Sequence, residues 1–564
     1  MAVYVPLPGS KRSLLPNSRL AGPIDPTEIA SVTVRVRSAG NPEALVKKVY
    51  DLANTPMAER KYLTHEELEK QHGASQEDLD RIEHFAQEHD LTVVHRSAAE
   101  RSVVLKGKLG DLLAAFHADV QSYHHATGTY RGRRGEITLP EELSKVVTGV
   151  FGFDTRPKRR APFRQKSVAL SGPGGQNGVA ATEFATRYNF PARLNGTGLD
   201  GTGQTIAIIE LGGGFRSSDL QVFFQAIGAP PPKVTSVSVD HAGNDPTTAD
   251  SADGEVMLDI EVAGAVAPNA KIAVYFAPNN GDKGFLDAIN AAIHDSQRKP
   301  SVISISWGSP EVSTDQQGLN AYHELFAAAG ALGITVCVAA GDHGTADLDA
   351  SDWDQKIHVD HPACDDLVLG CGGTQIDGGE DVVWNDGTPF DVSTPGGGGW
   401  ASGGGISKVF AVPSYQADAD LPVSIDGGTR GRGVPDIAMS ATNYFTRVDT
   451  SEGASGGTSA VAPLMAGLVA RLNQATKKNV GFINPFLYSN AANGVVRDVT
   501  SGTNAIAGTI GGYEAGPGWD ACSGLGTPDG TAILDSLVPG QTVAARARGG
   551  HRALKATPKN ARSD

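Results

Sequence analysis

Thr205-Ile206-Ala207-Ile208-Ile209-Glu210-Leu211 is an apolar run interrupted only by a carboxylate near its end. A strand apolar on both faces belongs in a parallel sheet covered by helices on either side. Four more such runs follow, Lys271 to Phe276, Val302 to Ser306, Thr335 to Ala340 and Leu367 to Cys371, with helical patterns between them. This alternation predicts one α/β domain with a doubly wound parallel sheet over residues 179 to 540. Ligands of such sheets gather at the carboxyl ends of the strands. Glu210, Trp307 and Asp342 stand there. A carboxylate leaving a buried strand costs desolvation energy unless it is partnered, so Glu210 and Asp342 each need an explanation. A helix cap or a loop turn is the plainer one.

Upstream the pattern differs. Residues 30 to 38 alternate apolar and polar, as do 91 to 95 and 102 to 106, which predicts half-buried strands. Between them Thr64 and Glu67 form a capping-box pair, Leu79, Ile82 and Phe85 recur at helical spacing, and Leu109 to His117 reads as a helix. The expectation is a compact α+β domain over residues 1 to 155. Residues 156 to 178 are basic and rich in proline and glycine, an exposed linker of the kind proteases nick. Residues 541 to 564 are basic and read as a disordered tail.

The 564-residue chain carries a net charge of −15, divided unevenly, near +4 over residues 1 to 178 and near −24 over 179 to 544. So acidic a body offers no duplex nucleic-acid face, and no nucleic-acid partner is expected. Self-repulsion falls where carboxylates are protonated, which suits acidic working conditions as well as plain solubility. No run reaches the length of a membrane helix, so no membrane partner is expected. Prolines occupy the start where a secretory segment has its apolar stretch, and no signal peptide is expected in the chain as it stands. Cys337, Cys364, Cys371 and Cys522 are too few for a disulfide scaffold; Cys337, in an apolar run, reads as a buried thiol, while a single pairing stays open. His65, His72, His84, His89, His95, His117, His124 and His125 concentrate eight of the 15 histidines in the first third, either as solvated surface or as a pH sensor.

The segment Asp253-Gly254-Glu255-Val256-Met257-Leu258-Asp259-Ile260-Glu261-Val262 reads as a helix beginning at the sheet edge. Glu255 and Asp259 then lie i and i+4 on one face, each raising the proton affinity of the other. Ser455-Gly456-Gly457-Thr458-Ser459-Ala460-Val461-Ala462-Pro463 precedes an apolar helix reaching about Leu472. Ser459 thus sits at a helix N-terminus behind glycines, Gly457 among them, that let a substrate backbone approach. An N-cap serine is the competing reading.

The Gly-Gly-Thr-Ser-Ala-Val-Ala-Pro string, with Glu255, Asp259 and Asp342, resembles the sedolisins, the serine-carboxyl peptidases. The strings Val5-Pro-Leu-Pro-Gly-Ser, Ala207-Ile-Ile-Glu-Leu-Gly-Gly-Gly and Ala273-Val-Tyr-Phe-Ala-Pro-Asn extend the resemblance over residues 5 to about 540. It implies a subtilisin-like catalytic domain behind an inhibitory, chaperone-like, ferredoxin-like prodomain, with residues 156 to 178 cleaved between them. It implies an acid-active endopeptidase, a self-processing zymogen that hydrolyses protein and peptide substrates. Ser459 would be the nucleophile, Glu255 its general base, Asp259 the group orienting Glu255, and Asp342 the oxyanion-hole donor. Glu210 and Trp307 would extend the network behind Asp259.

A carboxyl base with a low pKa stays usable in acid, where an imidazole is protonated. A protonated Asp342 can donate to an oxyanion, as a carboxylate cannot. The resemblance further implies one Ca²⁺ ion held by Asp498, Val499, Gly516, Gly518 and Asp520, an oxygen-only set that suits calcium. It matches Asp360 to an acidic residue of the primary specificity pocket, and implies an extracellular monomer. Protonation of the prodomain histidines in acid is one route to loosening the prodomain. Two rival readings are a histidine-dependent subtilisin-type protease, for which His343 is the only candidate beside a strand end, and a catalytically silent binding protein that keeps the fold.

Overall fold

The computed structural model describes residues 3–15, 17–125, 128–156, 164–166, 178–248, 251–348, 353–391, 398–540 and 543–545. In the N-terminal domain four antiparallel strands lie in the spatial order Thr92–Ser97, Ser102–Lys108, Ile29–Val36, Val147–Phe151. Helices Pro42–Ala53, His65–His72 and Gln76–Glu88 connect the first strand to the second in sequence, and Leu109–Phe116 connects the third to the fourth. That order and connection are those of a split βαβ, or ferredoxin-like, unit. The capping box forms as the sequence predicts, Thr64 Oγ1 accepting from Glu67 N–H while Glu67 accepts from Thr64 N–H.

The second domain is built on an eight-stranded sheet. In spatial order its strands are Lys233–Ser238, Lys271–Phe276, Thr205–Glu210, Val302–Ile305, Thr335–Ala339, Leu369–Asp377 and Glu380–Val383, with Ile437–Ser440 also paired to Leu369–Asp377. Only Glu380–Val383 runs antiparallel to its neighbour. The five central runs were legible as strands; the last of them starts two residues later than its apolar pattern and extends to Asp377. Lys233–Ser238 and Glu380–Val383, at the sheet edges, carry too few apolar residues to stand out.

Helices Asp253–Val266 and Val461–Thr476 pack on one face of the sheet. Helices Asp282–His294 and Gln316–Leu332 cover the other, where Leu45, Val49, Leu68 and Phe151 of the N-terminal domain join the same core. Every residue of Asp253–Val266 is buried, which is why its apolar pattern has no polar stripe. Gly467 lets the two helices of the first face close up, because a Cβ there would collide with Val266. That close approach sets Ser459 opposite Glu255. Among the described residues no helix is long and apolar enough to cross a membrane.

Two expectations fall partly outside the described residues. Of the linker 156 to 178, only Arg156, Arg164–Lys166 and Gly178 are described, and Arg164–Lys166 forms a strand. Of the tail 541 to 564, the described part, Val543–Ala545, is also a strand and pairs with Pro191–Leu194. That pairing corrects the expectation of a tail without structure at those three residues: Val543, Ala544 and Ala545 precede the basic residues, and an edge strand offers them its free backbone groups. All four cysteines are buried free thiols, which closes the disulfide alternative.

Candidate active site

The strand ends and the two helices of one sheet face bring six polar groups together. Glu210 ends its strand, Trp307 and Asp342 follow theirs, Glu255 and Asp259 project from the helix beginning at Asp253, and Ser459 sits in the turn Thr458–Ala460 that feeds helix Val461–Thr476. The backbone of Gly457 has φ +122°, a left-handed conformation that a side chain would strain, and its N–H donates to Ala441 O at 2.7 Å. Ser459 is therefore held by a bend that needs glycine.

Ser459 Oγ and both carboxylate oxygens of Glu255 are buried without a formed hydrogen bond. The hydroxyl nonetheless lies close enough to lower the proton affinity of Glu255. Asp259 accepts one bifurcated bond from Ser306 Oγ, 3.0 Å to each carboxylate oxygen, and Trp307 Nε1 donates to Glu210 Oε2 at 2.9 Å. Asp342 Oδ1 accepts from Thr458 N–H at 2.8 Å and from Thr458 Oγ1 at 2.9 Å, which ties it to the residue before Ser459.

Burial raises the pKa of Glu210, Glu255 and Asp259 well above the usual carboxyl range. Asp259 adds to the rise at both glutamates, and Glu210 adds to it at Glu255. The expectation of a low pKa for Glu255 is thus corrected. Three buried carboxyls with few donors cannot all ionise, so the cluster holds protons in acid. Ser306 and Thr458 are the groups that sequence reading passed over. Both lie inside strings already singled out, one at the end of Val302 to Ser306 and one in Gly-Gly-Thr-Ser, and only the fold shows which way they face.

His343 Nδ1 bonds to Gly399 O at 3.1 Å and its ring lies 4.8 Å from that of Trp400. No histidine among the described residues hydrogen-bonds to Ser459, so the histidine-dependent reading has no base. Asp360 is buried and pairs with Pro310 in a short antiparallel bridge. A Cβ on Gly308, one residue past Trp307, would collide with its carboxylate. That places Asp360 at the carboxyl end of the sheet beside the cluster.

The proposed calcium ligands also come together. Asp498 Oδ2 accepts from Gly518 N–H at 2.8 Å, Asp520 Oδ2 accepts from Gly516 N–H at 3.3 Å, and Ser523 Oγ bridges Asp520 and the Val499 carbonyl. Two carboxylates among backbone carbonyls, with no imidazole in the set, fit a hard cation.

Arg164–Lys166 of the linker pairs antiparallel with Ala454–Gly456, the strand that leads into Gly457 and Ser459. These three residues therefore lie along the edge of the site as an extended peptide would.

Comparison with known proteins places this geometry. The Pro-kumamolisin, activation domain family matches residues 16–156, and the Subtilase family matches residues 241–505. Kumamolisin of Bacillus sp. (strain MN-32) is 42% identical over 549 residues, covering 94% of this chain and 96% of the relative. The chain belongs to the sedolisin family of serine-carboxyl peptidases. Sedolisin of Pseudomonas sp. (strain 101) is 27% identical over 511 residues, covering 86% of this chain and 84% of that one. The solved structure of Pseudomonas sedolisin complexed with two molecules of pseudo-iodotyrostatin superposes with a TM-score of 0.54 at 29% identity, covering 64% of this chain and 99% of the other. The chain is a serine-type peptidase, a zymogen whose N-terminal domain is an activation domain and intramolecular inhibitor.

Proposed function

We propose that this sedolisin is an acid-active endopeptidase in which Ser459 attacks the scissile carbonyl carbon as Glu255 takes the hydroxyl proton. The oxyanion that forms receives a hydrogen bond from Asp342 in its protonated state, and Glu255 returns its proton to the leaving amine as the tetrahedral intermediate collapses. Water, activated by Glu255, then releases the acyl group from Ser459. Asp259, held by Ser306, orients Glu255; Glu210 and Trp307 extend that network, and Gly457 and Asp360 contact the substrate, Asp360 favouring a basic side chain. The observation that carries this reading is the placement of a buried serine hydroxyl opposite a buried carboxyl whose proton affinity is raised by burial and by its neighbours. A base works best with a pKa near the operating pH, and burial moves that of Glu255 upward from the ordinary carboxyl range.

The test is a timed incubation of the full chain at about pH 4 and at pH 7, followed by intact mass and hydrolysis of an unfolded protein. The expected result is a new N-terminus within residues 157 to 178 and digestion in acid only; an intact, inactive chain at both pH values supports the silent-scaffold reading instead. We place the enzyme outside the cell and take it as a monomer, as the family resemblance implies.

We assign one Ca²⁺ ion to the carboxylates of Asp498 and Asp520 and the carbonyls of Val499, Gly516 and Gly518. The ion would neutralise Asp498 and Asp520 and pin the two loops that carry them. Chelation is then expected to lower Tm by about 4 °C, restored by added calcium and absent in Asp520→Asn. A Tm indifferent to chelator rules the assignment out.

We infer that release of the activation domain depends on protons taken up at the contact between the two domains. His84, His95 and His124 bond to neighbours inside that domain, whereas His65 and His72 face the peptidase domain. The best-placed group is His294 of the peptidase domain, whose Nδ1 lies 3.0 Å from Asn290 O. Burial drives its pKa down to about 4, and Arg35 and Arg101 of the activation domain push the same way while Glu100 opposes them. A histidine held neutral in the docked state stabilises docking above its free pKa near 6.5 and withdraws that stability as pH falls toward 4. His294→Gln is expected to lower the pH of half-processing by about half a unit. An unmoved midpoint would sink the assignment.

A further inference from the structure

The two domains enclose a cavity of about 520 Å³ between strand Ile29–Val36 and helix Pro42–Ala53 on one side and helix Gln316–Leu332 with the end of helix Asp282–His294 on the other. That is the size of a small-ligand site. Its lining holds two guanidinium groups, Arg35 and Arg101, and two imidazoles, His72 and His294.

Arg35 is the decisive group. Its side chain is among the largest that are fully buried, at 1% exposure. Nη1 donates to the Glu100 carbonyl at 2.6 Å, while Nε has no hydrogen-bond partner. Among the described residues no ion pair joins Arg35 to a carboxylate: Glu324 is taken by Arg101 Nη2 at 2.6 Å, and Asp287 and Glu100 attract Arg35 only from beyond ion-pair distance. The other acidic residue lining the cavity, Glu43, is exposed. Burial and the adjacent Arg101 depress the pKa of Arg35 to about 10. His72 Nδ1 is a second buried polar atom without a partner. Glu324, Asp287 and Glu100 offset only part of the cost of burying this guanidinium, and Arg101 beside it adds to that cost. A protein that keeps such a group next to a cavity gains from filling the cavity with negative charge.

We propose that this cavity binds a small oxyanion, with Arg35 and Arg101 as its cationic ligands and His72 Nδ1 as a further donor, and that the bound anion holds the activation domain to the peptidase domain. Arg35, Arg101 and His72 come from one domain, and Asn320, Glu324 and His294 close the site from the other. The anion is therefore bound by the zymogen and released with the activation domain.

The test uses the full-length Ser459→Ala chain, titrated calorimetrically at pH 7 with phosphate, sulfate and acetate, and with chloride at matched ionic strength; Tm is recorded in each. Binding and melting are read without any peptidase activity, so the outcome is independent of the proposed mechanism. The expected result is saturable heat and a rise in Tm of about 3 °C with an oxyanion over chloride. The same oxyanion slows self-processing of the wild-type chain several-fold, and both effects disappear in Arg35→Gln. An effect of phosphate and sulfate alone identifies a tetrahedral anion, and an effect of acetate as well identifies a carboxylate. Equal behaviour in all four salts overturns the proposal. So does an oxyanion effect of the same size in Arg35→Gln, which marks general salt exclusion from the surface. If Arg35→Gln does not fold, the titration of the parent decides alone, and absence of saturable heat with every oxyanion overturns the site.

Discussion

Ser459→Ala leaves the chain at full length after prolonged incubation at pH 4 and lowers activity toward an unfolded protein by roughly 10⁵-fold. The substitution removes the only oxygen that can form the acyl bond at this site, and no neighbour can replace it, because Thr458 Oγ1 is bonded to Asp342 and to the Gly341 carbonyl. Stability should hardly change. The Ser459 hydroxyl makes no hydrogen bond, so its loss leaves no donor or acceptor stranded, and an alanine fits where Ala460 and Val461 already pack. The pairing of an unchanged Tm with abolished turnover separates a chemical role from a structural one. A Ser459→Ala chain that still processes itself at the wild-type rate removes the nucleophile assignment.

The central strands were legible in the sequence because burial on both faces leaves few polar residues to disguise them, one each in Val302–Ile305 and Thr335–Ala339. The edge strand Lys233–Ser238 was not, since four of its six residues are polar and its surroundings read as loop. The same logic divides the site. Glu255 and Asp259 could be placed on one helical face from spacing alone, and Ser459 from its glycines. The burial that sets their proton affinities could not, because it comes from helix Val461–Thr476 and the strand ends packing around them. A lone pair of surface carboxylates has nearly ordinary pKa values; the same pair beneath two helices does not. Ser306 shows the remaining gap. Its hydroxyl is one of four in the run Ser301 to Ser309, and nothing in that run says which of them meets Asp259. The histidine skew of the first third was legible as a count, but not which of those side chains meet the other domain: His65 and His72 do, and His294 of the peptidase domain lines the same cavity as His72.

The second large effect is expected for Glu255→Gln, which lowers kcat by about 10³-fold while leaving Ser459 in place. An amide cannot take the hydroxyl proton, so attack must proceed through the far scarcer unassisted alkoxide. Substrate affinity should change little, which places the loss in kcat and not in KM. The folded chain should gain stability at neutral pH, because a buried carboxyl without hydrogen bonds is replaced by a neutral group of the same shape. A companion substitution fixes the sign of the electrostatics. Glu210→Gln keeps an acceptor for Trp307 Nε1 but removes a negative charge that raises the pKa of Glu255. Glu255 then stays ionised to lower pH, and the acid limb of kcat/KM moves down by about half a unit. An acid limb that moves up, or a Glu255→Gln enzyme with wild-type kcat, takes the general base away from Glu255 and leaves Asp259 as the carboxyl to test in its place.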